Sequence, residues 1–144
     1  MKEVVVFILY SFIILLLIRL SWTDIKQRII SNRIILYLFF PIIVLSLLRY
    51  EEIFVIPALI ALIIGFVLFS FNAIGGGDVK LITVLMLSLP TEQILSFFLF
   101  TTFFGLLLII IGWIFFRESI RNHGLPYGVA ISLGFLTNLI LFWQ

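Results

Sequence analysis

The sequence predicts an all-α, polytopic membrane protein with about six transmembrane helices and both termini on the exterior side. Three observations carry this. First, 64% of the 144 residues are hydrophobic and 11% charged, against roughly 45–50% and about 25% in an average soluble domain. Second, the mean hydropathy is +1.36, and the apolar residues fall in runs broken by charge, Gly or Pro. Third, Lys and Arg gather on alternate loops. The 144 residues are read as one membrane domain, residues 1–144, with no room among them for a soluble one.

In the first run, 4–21, the apolar stretch Val4 to Ile18 is followed by Arg19-Leu-Ser-Trp-Thr-Asp24, which holds no small-x-small cleavage pattern, and Glu3 weakens a basic lead. It is read as a retained span. The second, 34–49, ends at Glu51-Glu52, which marks a tight turn, and the third, 53–71, runs into Gly75-Gly76-Gly77. The fourth, 79–90, falls short of the roughly 17–25 residues a crossing helix uses, so its helix is expected to borrow residues from the glycines. Pro90-Thr91-Glu92 marks the turn into the fifth, 94–116, and the sixth covers 125–143.

Orientation follows from the basic residues. The loops after spans one, three and five hold Arg19, Lys26, Arg28, Arg33, Lys80, Arg117 and Arg121, while the opposite side holds only Lys2 and Arg49. Seven against two puts the first set in the cytoplasm. The net charge of +2 is small and scattered, which excludes a nucleic-acid partner; the partner implied by composition is the lipid bilayer. With no cysteine, thiolate nucleophiles, disulfides and zinc–thiolate centres are excluded.

Two aspartates then stand out, Asp24 and Asp78, which fall on the same cytoplasmic side although the count of basic residues ignores them. A carboxylate beside lipid is costly without a partner or a function. Two brought together share a proton and titrate as a unit. Such a pair can deprotonate a water with one carboxylate and protonate a carbonyl or leaving amine with the other, with no metal or cofactor. Gly75-Gly76-Gly77 permits close approach of an extended substrate chain. The plainer alternative leaves Asp24 as an interfacial residue beside Lys26 or Arg28, and Asp78 as a helix-start residue favoured by the helix dipole.

Three segments resemble the type IV prepilin peptidase family, membrane aspartyl proteases with a GxGD signature. Asp24-Ile-Lys-Gln-Arg-Ile-Ile-Ser-Asn32 is similar to the family's Asp, five residues, then Ile-Pro-Asn. Gly75-Gly-Gly-Asp78-Val-Lys80-Leu81 matches GxGDxKL, and Leu125-Pro126-Tyr127-Gly128-Val129-Ala130, trailed by Gly134, is similar to the final Pro-Tyr/Phe-Gly motif. The resemblance implies a cytoplasmic-membrane endopeptidase with catalytic Asp24 and Asp78, no cofactor or metal, and prepilin-like substrates. These lose a leader peptide at the cytoplasmic face, just before an apolar helix. Gly75, Gly76, Gly77, Lys80, Asn32, Pro126 and Gly128 carry over as supporting residues; Lys80 is read either as neutralising charge near the pair or as an interfacial lysine. Ser31 replaces the family's Pro, which implies a less rigid turn. The Cys-containing cytoplasmic insertion of larger members is missing from these residues, so methyl transfer is not assigned. The compact form looks most like the short branch serving tight-adherence (Flp-type) pili.

Other residues take structural readings. His123, the only histidine, is read as solvated, and Asn72 and Asn138 as amides bonding between helices. Trp22, Trp113 and Trp143 form an aromatic belt. Competing with the peptidase are a proton- or cation-coupled carrier and a non-catalytic pilus assembly partner. Against the carrier, both acids lie at one membrane edge, whereas transport sites cluster near the midplane.

Overall fold

A computed structural model describes residues 1–143 as helices and short connections. Seven helices follow in order: α1 Lys2–Gln27, α2 Asn32–Tyr50, α3 Val55–Ser70, α4 Gly76–Met86, α5 Thr91–Phe115, α6 Arg117–His123 and α7 Tyr127–Leu141. The all-α expectation holds, and each expected apolar run contains a helix. Three of them, α1, α2 and α5, are long and apolar enough to cross a membrane, and a fourth crossing is reached only by joining α6 to α7 across a 103° bend.

The core gathers where α1, α2, α4, α5 and α7 meet. Ile13, Leu17 and Leu20 repeat at helical spacing on α1, and Leu38, Ile42 and Leu45 do so on α2. Both stripes are sealed from solvent together with Leu81 and Leu85 of α4 and Phe135 of α7. The opposite faces carry exposed Leu, Ile and Phe, as lipid-facing surfaces do.

Expected as residues 79–90, α4 instead runs from Gly76 to Met86, so it does begin within the glycines but stops early. At about 1.5 Å per residue its 11 residues reach only roughly 16 Å, against a hydrocarbon core of about 30 Å. The remainder is turn. Its polar backbone is satisfied by protein: the Leu87 carbonyl accepts from the Phe54 amide (3.0 Å) and the Ser46 hydroxyl (3.1 Å), while Leu89 is fully buried. Irregular backbone among apolar helices is stable only when enclosed in this way. Packed against α2, α3 and α7, α4 forms the centre of the bundle.

Helix α5 pairs along its length with α7. A Cβ on Gly134 would lie 2.8 Å from the Thr101 amide nitrogen, so glycine lets the two backbones close up. Asn138 donates to the Gln93 carbonyl (3.0 Å) and the Ser96 hydroxyl (2.8 Å), as expected of a helix-bridging amide. Asn72 has another role. It is exposed with φ 56° in the turn after α3, a left-handed conformation that Asn adopts more readily than most residues.

The tryptophans are at least half exposed, and Lys26 and Arg117 lie over the rings of Trp22 (4.4 Å) and Trp113 (5.0 Å). Away from the aspartates, Arg49 donates to the Tyr10 hydroxyl and the Phe142 carbonyl, joining α1, α2 and α7.

Candidate active site

Asp24 lies in the last turn of α1 and is only 6% exposed. Helix α1 ends four residues later, at Arg28, whose left-handed backbone (φ 54°, ψ 33°) aims its amide at the Asp24 carbonyl (3.0 Å). The Asp24 carboxylate meets the far end of the chain: its Oδ2 accepts from the Gly128 amide at 2.8 Å. Gly128 is the second residue of α7, where backbone N–H groups have no partner within their own helix and the helix dipole is positive. Asp24 therefore caps α7 from another helix, and Pro126 sets the start of α7. Glycine is needed at 128, because a Cβ there would lie 2.7 Å from Asp24 Oδ2 and 3.0 Å from Ile30 Cδ1.

Asp78 occupies the first turn of α4 and is buried, 9% exposed. Its carboxyl folds back over the start of its own helix, since a Cβ on Gly75 would meet Asp78 Oδ2 at 3.0 Å. That is the posture of an acidic side chain in the first turn reaching toward the residue that caps the helix. Gly77 packs on Ile30, 2.9 Å from a Cβ placed there. Gly76 has no such constraint, with only the Phe69 ring at ordinary contact distance, 3.4 Å.

Ile30 thus lies between Gly77 and Gly128, one glycine on each aspartate-bearing junction. Sequence reasoning misses it, although a signal exists: it is the Ile of the Ile-Ser-Asn triplet after Asp24. Arg28 counts in the sequence as a topogenic charge and, in the plainer alternative, as a neighbour of Asp24. Its Nη1 is buried with no hydrogen-bond partner among the described residues.

Around these residues the expected supporting set divides. Lys80 donates from Nζ to Asn32 Oδ1 at 3.0 Å, fastening the start of α2 to α4 on an exposed face. Two residues past Asp78, it lies about 200° around the helix from it, so it does not neutralise the pair. Ser31 retains much of what a proline would give. Its φ of −66° is a proline-like value, and its Oγ accepts from the Arg33 amide (3.3 Å) as the N-cap of α2. The turn is therefore capped instead of loosened. His123 is exposed at the end of α6. No cluster of three or more His, Asp or Glu forms a metal site among the described residues.

The two acids differ in their partners. Burial raises the pKa of Asp78 to about 6; the negative charge of Asp24 adds to this, and the Gly75 amide opposes it. Asp78 belongs to the short helix at the edge of the expected fourth span, so its proton is held within reach of ordinary pH. Asp24 accepts a backbone hydrogen bond at the start of α7. Activating water and protonating a leaving group takes one carboxylate that accepts a proton and one carboxylic acid that donates one.

Residues 11–110 match the model of the type IV leader peptidase family. Both aspartates and the three consecutive glycines fall inside that stretch, whereas Pro126 and Gly128 lie beyond it, Gly128 being joined to it through Asp24. No curated protein and no solved structure matches.

Proposed function

The chain belongs to the type IV leader peptidase family, and from that premise we propose that it cleaves the leader from prepilin-like precursors with Asp24 and Asp78 as its catalytic pair. Asp24 takes the proton from a water, which adds to the scissile carbonyl. Asp78 protonates the carbonyl oxygen and, after proton exchange within the pair, the departing amine. The observation carrying this reading is that two buried carboxylates, 54 positions apart in sequence (78 − 24), lie at helix junctions that share Ile30, which packs against Gly77 next to Asp78 and against Gly128 at Asp24.

The finer features form part of the same proposal. The basic residues at the aspartate end of the sequence pattern support a cytoplasmic active site in a cytoplasmic membrane, exterior termini and six membrane segments, of which α4 is a short, enclosed one. The compact chain and its Pro126-Tyr127-Gly128-Val129-Ala130 segment support a place near the Flp-type branch.

The test is cleavage in detergent of a precursor with a basic leader, by wild type and by Asp24→Asn and Asp78→Asn. Each substitution is expected to lower the rate at least a thousandfold with the helical content unchanged. Cleavage by either variant at more than a tenth of the wild-type rate would remove that residue from the pair.

A further inference from the structure

Helix α3 packs on α4 and fully buries only Ala58 and Gly65, leaving much of its surface exposed. Between α3, α4 and the start of α5 lies a groove of roughly 940 Å³. Its α3 wall runs from Val55 to Leu68, about 20 Å at 1.5 Å per residue. Its floor is one stripe of α4: Val79, Ile82 and Met86, at i, i+3 and i+7. Phe98 of α5 forms part of the opposite wall. The groove is open, since Ile60 and Ile64 on its wall are 53% and 55% exposed.

Two features limit what fits there. The lining is apolar throughout, apart from Glu52 and Thr91 near the end formed by the α2–α3 turn and the start of α5. An extended segment would therefore leave its backbone N–H and C=O groups unpaired, whereas a helix satisfies its own. The second feature is position. The other end is lined by Ile74 and Val79, the two residues that flank Gly75–Asp78. The groove therefore starts at the residues on either side of the Gly75–Asp78 turn.

We propose that this groove holds an apolar transmembrane helix of the protein substrate, with the scissile bond at the end of that helix, beside Asp78. Helix α4 then serves both catalysis and docking. Its first turn presents the carboxylate, and from the next residue onward it forms the docking floor. Ala61, small and on the α3 wall, lets the incoming helix approach closely. The inference rests on the peptidase reading above and adds where the substrate lies.

Because the chain has no cysteine, single cysteines report contact without background. Ile64→Cys and Phe98→Cys sample two walls of the groove, and Ile110→Cys samples exposed α5 surface outside it. Each is paired, in membranes, with a leader-bearing precursor carrying one cysteine stepped along its apolar helix. The groove cysteines are expected to form disulfides at every third or fourth step, at least tenfold more than Ile110→Cys. In parallel, Ile64→Trp should slow cleavage of the precursor at least tenfold, and Ile110→Trp should change it less than twofold.

Equal cross-linking at all three positions overturns the proposal, as does none at the groove while wild type still cleaves, which would leave lipid chains as the occupant. Disulfides between the groove cysteines of two enzyme copies would assign the groove to self-association instead. Absence of cleavage by wild type fails the peptidase reading itself and is distinguished by that control alone.

Discussion

The Gly128 amide donates a 2.8 Å hydrogen bond to Asp24, tying the first turn of α7 to the last turn of α1 across 104 positions of sequence. It fixes one carboxylate through a backbone group, leaving that carboxylate's second oxygen for other partners. It also makes Gly128 a requirement of the site, since a methyl group there occupies the position of the carboxylate.

Gly128→Ala should therefore damage the site more than its size suggests. The added Cβ would lie 2.7 Å from Asp24 Oδ2, and Ile30 at 3.0 Å blocks the other way out. Overpacking of this kind costs about 1–3 kcal/mol, and it displaces Asp24 in doing so. Cleavage is expected to fall at least thirtyfold and the detergent melting temperature to drop. An active Gly128→Ala variant would show that Asp24 does not need its cap on α7.

The raised pKa of Asp78 sets two trends with pH. In the proposed mechanism Asp78 donates its proton, so kcat/KM should fall as pH rises through about 6. Stability follows the same sign. With the folded pKa near 6 and the ordinary value 3.8, the folded state holds the proton more tightly than the unfolded. The stabilising contribution is complete below about pH 4 and is lost as pH rises to 6, a difference of up to about 3 kcal/mol. Asp78→Asn keeps the shape and removes the buried charge, so it should be inactive yet melt higher than wild type at about pH 7.5, above the folded pKa. Equal or lower melting at that pH would place the Asp78 carboxylate in a better-solvated site than its burial implies.

Ser31→Pro tests the departure from the family's triplet. The native φ of −66° suits the ring, and restricting the unfolded chain contributes about 0.4–1 kcal/mol. Loss of the Ser31 cap on α2 costs about 1 kcal/mol. The two offset, so the variant should cleave within threefold of wild type and melt within a few degrees of it. A large loss of activity would mean that the Ser31 hydroxyl has a role beyond capping.

Much of the site is legible in the sequence because its parts are local. The Gly75–Asp78 run needs only its own turn to place a carboxylate at a helix start, and Asp24 needs only the end of α1. The partnership of Lys80 and Asn32 is not legible, since neither residue type specifies the other, and their bond joins positions 48 apart. Ile30 is hidden for a similar reason: an isoleucine among isoleucines gains its meaning only from the two glycines that close on it. The length of α4 escapes the sequence because an apolar run reads the same in helix or enclosed turn. Leu87 to Leu89 are turn because Ser46 and Phe54 supply hydrogen bonds from elsewhere.

By itself the sequence determined the solvent and the ingredients. Composition and the spacing of apolar runs required helices in lipid, because unpaired backbone is too costly there. The rarity of acids among them singled out Asp24 and Asp78. Only the tertiary structure decided what each acid touches. Capping of α7 by Asp24, the seating of Ile30 against both Gly77 and Gly128, and the groove beside Asp78 all arise between segments distant in sequence. Packing selects those contacts by shape, and shape at a helix junction is set by which side chains are absent, here the Cβ atoms of Gly75, Gly77 and Gly128.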